Sequence, residues 1–440
     1  MRVAFDRFVR GVKVETVASV RSSAARVSAA RSVTLAAVFD DVDAARTAAA
    51  AAKKHVLANL KPLLLEFEEN LIKNGVKVHW ALDAGSACKQ ISAICSSAAP
   101  NGALIVKAKS MATEEIHLNK SLIEDGHTPI ETDLGEFIIQ LDQDTPSHVV
   151  QPIIHKNRRN IAESFREHGL GPYTEDPEEL TMQARAHLRE KFRKADVGIS
   201  GVNFGIAETG RIVLVENEGN NRLSTTAPKV HIAVMGIEKL LAFESDLPLF
   251  LRLLAGSATG QRLTVYTHFI TGPRREALDG PQEVHVVLLD NGRSGILEGR
   301  YRDILGCIRC GACLNVCPVY RAATGHAYRH VYPGPVGAVL APALEGVDSM
   351  GDLAFASTLC GACKSVCPVD IDIPSMLLHL RAEQRANKWR LYAKSVTSAK
   401  AWRRTLRMLP LATKLPNPWK EFRDTPARGK SFRRWWNERS

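Results

Sequence analysis

The chain has 440 residues, 45% of them hydrophobic and 24% charged, with a formal net charge of +11. That length suits two or three domains with real cores, and no apolar run is long enough to cross a bilayer. Nine cysteines, seven of them in two tight groups, exclude a small secreted disulfide scaffold and point to metal in a reducing compartment.

Residues 1–40 are Ala, Ser, Arg and Val with few acids. The composition is similar to an organelle transit peptide but carries no apolar core or cleavage signature, so it is read as an unassigned N-terminal arm. From Asp41 to about Asn74 the Ala, Leu, Lys and Glu content predicts a helix, with Gly75 as its C-cap. "VKVHWAL" and "GALIVKA" predict strands with a helix between them, an alternation that argues for an α/β domain with a largely parallel sheet. Cys88 and Cys95, in the intervening helix, are expected to be ordinary buried side chains.

"KSMATEE" starts a helix whose Ser110 and Thr113 are placed either to hold an anion or simply to cap. His148, His155 and Lys156 are loop residues with no partner assignable from sequence. A further helix begins with Asp176 as N-cap, Pro177 at the first position and Glu179 as the second half of a capping box. "VGISGVNFGIAETGRIVLVENEGNNRL" predicts a hairpin turning at Thr209-Gly210, then a polar loop. Glu208, Glu216, Asn217, Glu218 and Asn220 make that stretch a candidate small-molecule site with Glu216 as nucleophile or base, and Glu208 as a second candidate; the competing reading is a solvated loop whose acids cap helices. "KVHIAVMGI", "QRLTVYTHFI" and "EVHVVLLDNG" predict more strands, and the α/β domain with its leading helix is set at 41–294. The glycines of "GISGVNFG" do not fall in the dinucleotide-binding spacing, so no flavin or nicotinamide fingerprint is present.

The segment 295–385 is expected to be helical and carries the metal-binding signature. Cys307, Cys310, Cys313 and Cys317, followed by Pro318, spell the ferredoxin run C-x2-C-x2-C-x3-C-P. In that run the fourth cysteine serves the other cluster of a pair. Cys317 therefore joins Cys360 and Cys363, and Cys367, also followed by proline, joins Cys307, Cys310 and Cys313. Seven cysteines with two C-x3-C-P endings weigh against a four-thiolate zinc site. The second set is one ligand short. Counting back three from Cys360 gives Ser357, so Ser357 is a candidate fourth ligand, beside a water or unidentified ligand, or a 3Fe-4S cluster in place of a second 4Fe-4S.

Residues 386–440 form a basic, Trp-rich tail, in which fifteen Lys or Arg face three acids and five of the six tryptophans reside. Tyr392 to Leu409 is spaced as an amphipathic helix. Such a tail suits an acidic partner or an anionic surface, and nucleic acid is the low-ranked alternative.

"KAKSMATEEIHLN", "ETDLGEFIIQL", "PSHVVQPIIHKN", "SGVNFGIAETGRIVLVENEGNNRL", "CIRCGACLNVCPVYR" and "SFRRWWNERS" together resemble the blocks of the lactate utilisation protein B family, the iron–sulfur subunit of bacterial L-lactate oxidising systems. The likeness runs from about Asp41 to the end and implies a NagB/CoA-transferase-like α/β domain followed by a helical two-cluster ferredoxin domain. It also implies a cytoplasmic protein, peripheral at most to the inner membrane face, that relays electrons as L-lactate becomes pyruvate. The implied partners are a cysteine-rich subunit and a small α/β subunit, with a membrane or quinone-linked acceptor. The alternative is that the α/β domain itself binds and oxidises a 2-hydroxy acid.

Overall fold

The computed structural model describes residues 5, 9, 11–276, 279–385, 398, 400, 402 and 403. The chain divides into two compact units, Met1–Arg381 and Ala382–Ser440. Apart from four residues, the basic tail and its expected helix over Tyr392–Leu409 lie outside the described residues.

Among the described residues ten strands punctuate the first unit: β1 Lys77–Ala81, β2 Leu104–Lys107, β3 Thr128–Glu131, β4 Val197–Gly201, β5 Phe204–Ile206, β6 Arg211–Glu216, β7 Val230–Gly236, β8 Leu240–Leu241, β9 Tyr266–Ile270 and β10 Glu283–Leu289. Six form a wholly parallel sheet in the order β1-β10-β7-β4-β2-β3. Every residue of β7 is buried, as parallel strands covered on both faces require. Its alternate side chains serve two cores. Ala233 and Met235 pack with Leu64, Phe67 and Leu71 of the Leu60–Lys73 helix. Ile232 and Val234 pack with Ile91 and Cys95 of the Ala84–Ala98 helix. Each such side chain contributes about 1.5–3 kcal/mol by leaving water. β3 contains Pro129 and lies at the sheet edge, where a missing N–H is harmless.

β5, β6, β8 and β9 make a second sheet, β8-β5-β6-β9, with β5 and β6 antiparallel across the expected hairpin. The leading helix predicted over 41–74 is two helices, Val42–Ala58 and Leu60–Lys73. Asn59 separates them, and its side-chain amide donates to the His55 carbonyl, an alternative to the helical ladder. Asp176 caps the Pro177–Lys194 helix through the Glu178 and Glu179 amides. The expected reciprocal bond from Glu179 is replaced: the Asp176 N–H donates to Thr174 Oγ1 at 3.1 Å.

The segment read as an unassigned arm is instead built into the fold. Val14–Val38 is an α-helix with Val20, Ala24, Val27 and Leu35 buried. Leu35 joins Phe204 and Phe250 of the α/β part and Leu314 and Tyr320 of the cysteine region in one continuous core. Close approach is possible because small residues meet: a Cβ on Gly260 would lie 2.5 Å from that of Ala30. Arg31 donates to the Val366 carbonyl at 2.8 Å, tying this helix to the second cysteine loop.

Candidate metal centre and adjoining cavity

The two cysteine loops repeat one backbone pattern. In the first, Arg309 has φ 61° and Gly311 φ 74°; in the second, Leu359 has φ 55° and Gly361 φ 83°. Each loop thus has a left-handed residue on either side of one cysteine, Cys310 in the first and Cys360 in the second. The Arg309 N–H donates to Cys307 Sγ at 3.4 Å, and the Leu359 N–H donates to Ser357 Oγ at 3.1 Å. Ser357 therefore occupies in the second loop the position Cys307 occupies in the first. Glycine at 311 is obligatory on two counts, its positive φ and a Cβ that would come within 2.9 Å of the His148 ring.

The proline after Cys317 has a local role. Pro318 takes the first position of the Pro318–Ala323 helix, leaving Cys317 as its N-cap, and Cys317 Sγ accepts from the Tyr320 N–H at 3.5 Å. Cys367 Sγ likewise accepts from the Ile371 N–H at 3.3 Å.

Cys307, Cys310, Cys313 and Cys367 all line one small cavity, together with apolar side chains that include Val336 and Ile373. Cys317, Cys360 and Cys363 remain: Cys360 acts on Cys317, both act on Cys363, and Cys363 also acts on Cys313 of the first group. Burial, then the neighbouring thiolates, pushes Cys310 and Cys363 up to about 12. Cys360 is the exception, exposed and held below the usual thiol value by the Ala362 N–H. None of the nine cysteines is in a disulfide, and Cys88 and Cys95 are buried as expected. Soft donors in two groups, with N–H bonds to their sulfurs and a cavity between four of them, fit iron–sulfur ligation; crowded neutral thiols of this kind ionise when a cation meets them. Cations were not foreseen here: Arg46 donates from its Nε to the Cys367 carbonyl at 2.8 Å, and Arg31 faces Cys310 and Cys367.

A second cavity, about 310 Å³, opens above the carboxyl ends of β2, β4 and β7 and reaches Ile308 and Arg309 of the first cysteine loop. Its floor is an ion network. Arg293 Nε donates to Glu238 Oε2 at 2.6 Å and its terminal nitrogens bracket Glu115 at 2.8 Å. Arg309 reaches Glu238 Oε1 at 3.3 Å and lies over the Tyr332 ring. Burial alone would raise the Glu238 carboxyl, but Arg293 and Arg309 outweigh it and hold it at about 2. Burial lowers the Lys239 ammonium to about 8.

Glu216 lies on this cavity, with its oxygens already accepting from the Asn221 and Arg222 amides and from His268 at 2.6 Å. Asn217, Glu218 and Asn220 line it too. Glu208 does not: it sits at the other end of β6, in the exposed hairpin turn, where it accepts from the Glu244 N–H. Ser110 caps through the Thr113 N–H and borders the cavity. The loop histidines have partners after all. His148 Nδ1 accepts from the Val150 and Gln151 amides, and His155 bonds Asp144 at 2.9 Å. With His326, that pair places three potential ligand atoms within 4.8 Å, and Lys156 supplies the Asp144 carboxylate with a counter-charge at 3.1 Å. The sequence held no pointer to Arg293 or Lys239 as cavity residues, because each arrives from a different strand end.

The LUD domain family matches residues 64–289, and the 4Fe-4S dicluster domain family matches 303–371. "Lactate utilization protein B" of Bacillus subtilis is 44% identical over 88% of this chain and 86% of its own, and that of Bacillus licheniformis is 42% identical over 99% and 96%. An uncharacterized electron transport protein, YkgF, of Escherichia coli is 43% identical over 89% and 87%. A solved structure of a DUF162 family protein from Deinococcus radiodurans aligns with 52% of the chain and 98% of its own at 12% identity and a TM-score of 0.29.

Proposed function

The chain belongs to the lactate utilization protein B family, and from that premise we propose that it is the iron–sulfur electron-transfer component of an L-lactate oxidising system. The observation that carries the reading is the arrival of Cys367 at the cavity of Cys307, Cys310 and Cys313, which is what crossed ligation requires. On this reading those four hold one 4Fe-4S cluster, and Cys317, Cys360 and Cys363 hold the second. Ser357 Oγ is the fourth ligand of the second set, a role supported by its equivalence to Cys307. Clusters so bound supply one-electron donor and acceptor chemistry.

The chain's own residues do the rest. The Arg309, Tyr320 and Ile371 amides orient and stabilise sulfur charge. Val336 and Ile373 keep water from the deep set. Exposed Cys360 marks where a redox partner would approach. We assign the α/β domain to 41–294 with a NagB/CoA-transferase-like architecture, supported by its parallel sheet, and the ferredoxin-type domain to 295–385, with the basic tail at 386–440. The proposed partners are a cysteine-rich subunit and a small α/β subunit, with a quinone-linked acceptor at the cytoplasmic face of the membrane. Among the described residues no helix is long and apolar enough to cross a membrane.

The test is iron and acid-labile sulfide per chain on anaerobically purified protein, with EPR of the reduced form. About eight irons are expected. Cys367→Ser should remove the signal of one cluster and Cys317→Ser that of the other. Loss of the same signal in both variants would overturn the crossed assignment, and stoichiometric zinc without iron would overturn the function.

A further inference from the structure

We infer that Asp144, His155 and His326 form a metal site separate from the cysteines, which takes a divalent ion of zinc's type and pins a loop of the α/β part to the cysteine region. One potential ligand atom from each residue lies within 4.8 Å of the other two. The donors come from distant segments. Asp144 and His155 belong to the stretch between the Leu134–Leu141 and Arg158–Glu167 helices, and His326 opens the His326–Tyr328 turn beyond the first cysteine loop. Close packing holds these segments together. A Cβ on Gly325 would lie 1.9 Å from the Ser147 carbonyl oxygen, and Tyr320 Oη donates to that same oxygen at 2.6 Å.

Both imidazoles are already oriented. Nε2 of His326 donates to the Thr145 carbonyl at 2.8 Å, and Nε2 of His155 bonds Asp144 Oδ2 at 2.9 Å. The rings meet edge to face with centroids 4.5 Å apart. In a neutral ring bound through one nitrogen to an oxygen acceptor, the other nitrogen carries a bare lone pair. Nδ1 of His155 is such a nitrogen: it is buried without a hydrogen-bond partner among the described residues, on a side chain only 8% exposed. A buried acceptor that no donor satisfies calls for a cation or a proton donor from outside the chain.

Charge and donor type set the class of ion. Within this group Asp142 and Asp144 carry two negative charges, and Lys156 answers one of them, at 2.5 Å from Asp142 and 3.1 Å from Asp144. A divalent ion on Asp144 therefore meets a net negative group and leaves Lys156 its closer partner. Two imidazole nitrogens and one carboxylate oxygen are a borderline donor set that suits zinc or a neighbouring first-row ion, whereas magnesium and calcium favour oxygen alone. Asp144 and His326 are 30% and 35% exposed, so an ion enters from solvent and water fills the open coordination position.

The probe is zinc, added to full-length protein purified anaerobically with its iron, with magnesium as the control. Metal is counted after desalting, and the zinc edge is read by X-ray absorption. One zinc per chain is expected, with nitrogen and oxygen neighbours at about 2.0–2.1 Å and no sulfur at about 2.3 Å. His326→Gln should weaken zinc by about tenfold or more with iron content unchanged. Zinc should also raise the melting temperature of the unaltered protein and leave that of His326→Gln unmoved. No uptake of zinc, a sulfur-containing shell, magnesium bound equally well, or full zinc affinity in His326→Gln would overturn the inference. The absorption spectrum is taken on the unaltered protein, so the test holds even where the variant misfolds. A His326→Gln variant that melts lower while the unaltered protein takes up no zinc assigns the three residues to hydrogen bonding alone and likewise overturns it. Iron content reports on the proposed function separately, since the edge distinguishes these ligands from thiolates.

Discussion

Replacing Glu238 by Gln is the sharpest probe of how the floor of the large cavity is held. Glu238 is 1% exposed and is the carboxylate shared by Arg293 and Arg309. Removing its charge leaves two buried guanidiniums with Glu115 alone, and breaking a buried pair from one side costs about 3–5 kcal/mol. Linkage gives a similar figure. The folded-state pKa of about 2 lies below the ordinary 4.5, so the carboxylate's contribution is complete above the unfolded value and is lost as pH falls through about 2. That displacement corresponds to about 3 kcal/mol. Unfolding entropy of about 2.1 cal/mol/K per residue, applied to the Met1–Arg381 unit, gives about 0.8 kcal/mol/K. Glu238→Gln should therefore lower the melting temperature by about 4–6 °C at pH 7.5. The assay is differential scanning calorimetry under anaerobic conditions, on preparations matched for iron content. A shift below about 1 °C with iron retained would refute the claim that Glu238 compensates both arginines.

Ser357→Ala should lose iron from the Cys317 set while keeping the Cys307 set, and Ser357→Cys should retain both; EPR with iron analysis reads each, and an unchanged Ser357→Ala would remove serine from the ligand list. Gly325→Ala should destabilise the protein by more than about 3 kcal/mol, since its Cβ would lie 1.9 Å from the Ser147 carbonyl oxygen, a backbone atom with little freedom to retreat; a near-normal melting temperature would show that the Gly325–Ser147 contact is loose. His231 is fully buried, and burial first, then His285, lowers it to about 3. The unfolded chain binds more protons than the folded one between about pH 3 and 6.5, so stability falls as pH falls through that window. Going from pH 7 to 5.5 costs this residue on the order of 1 kcal/mol, and His231→Gln should flatten the pH dependence of the melting temperature by about 1–2 °C over that range. Parallel profiles would contradict the reading.

The strong signals in the sequence were short-range or repetitive. β7 and β10 announce themselves as continuous apolar runs because both faces of a parallel strand are covered. The hairpin at Thr209-Gly210 is visible because its turn and its alternation lie within a dozen residues. The cysteine grouping is legible for a chemical reason: a cluster demands fixed spacings. Other features depend on contacts that sequence spacing does not encode. The Val14–Val38 helix has no clear apolar stripe, since Ala and Val are scattered around it and its close approach depends on glycines of the partner segment, Gly256 against Leu35 and Gly260 against Ala30. The capping box at Asp176 fails because Thr174, two residues upstream, competes for the same amide. The cavity draws Lys109, Glu238, Arg293 and Arg309 from segments about two hundred residues apart, so the polar loop at Glu216–Asn220 was visible while the cations that share the cavity with it were not.

The bond from Arg31 to Val366 spans 335 residues of chain. At about 5–20 residues per second, a ribosome needs roughly 17–67 seconds to travel from one to the other. Throughout that interval the Val14–Val38 helix has emerged without the last cysteine loop it will clasp. Cofactor loading is thereby deferred until translation is almost finished, and a nascent chain that terminates early carries an incomplete set of thiols.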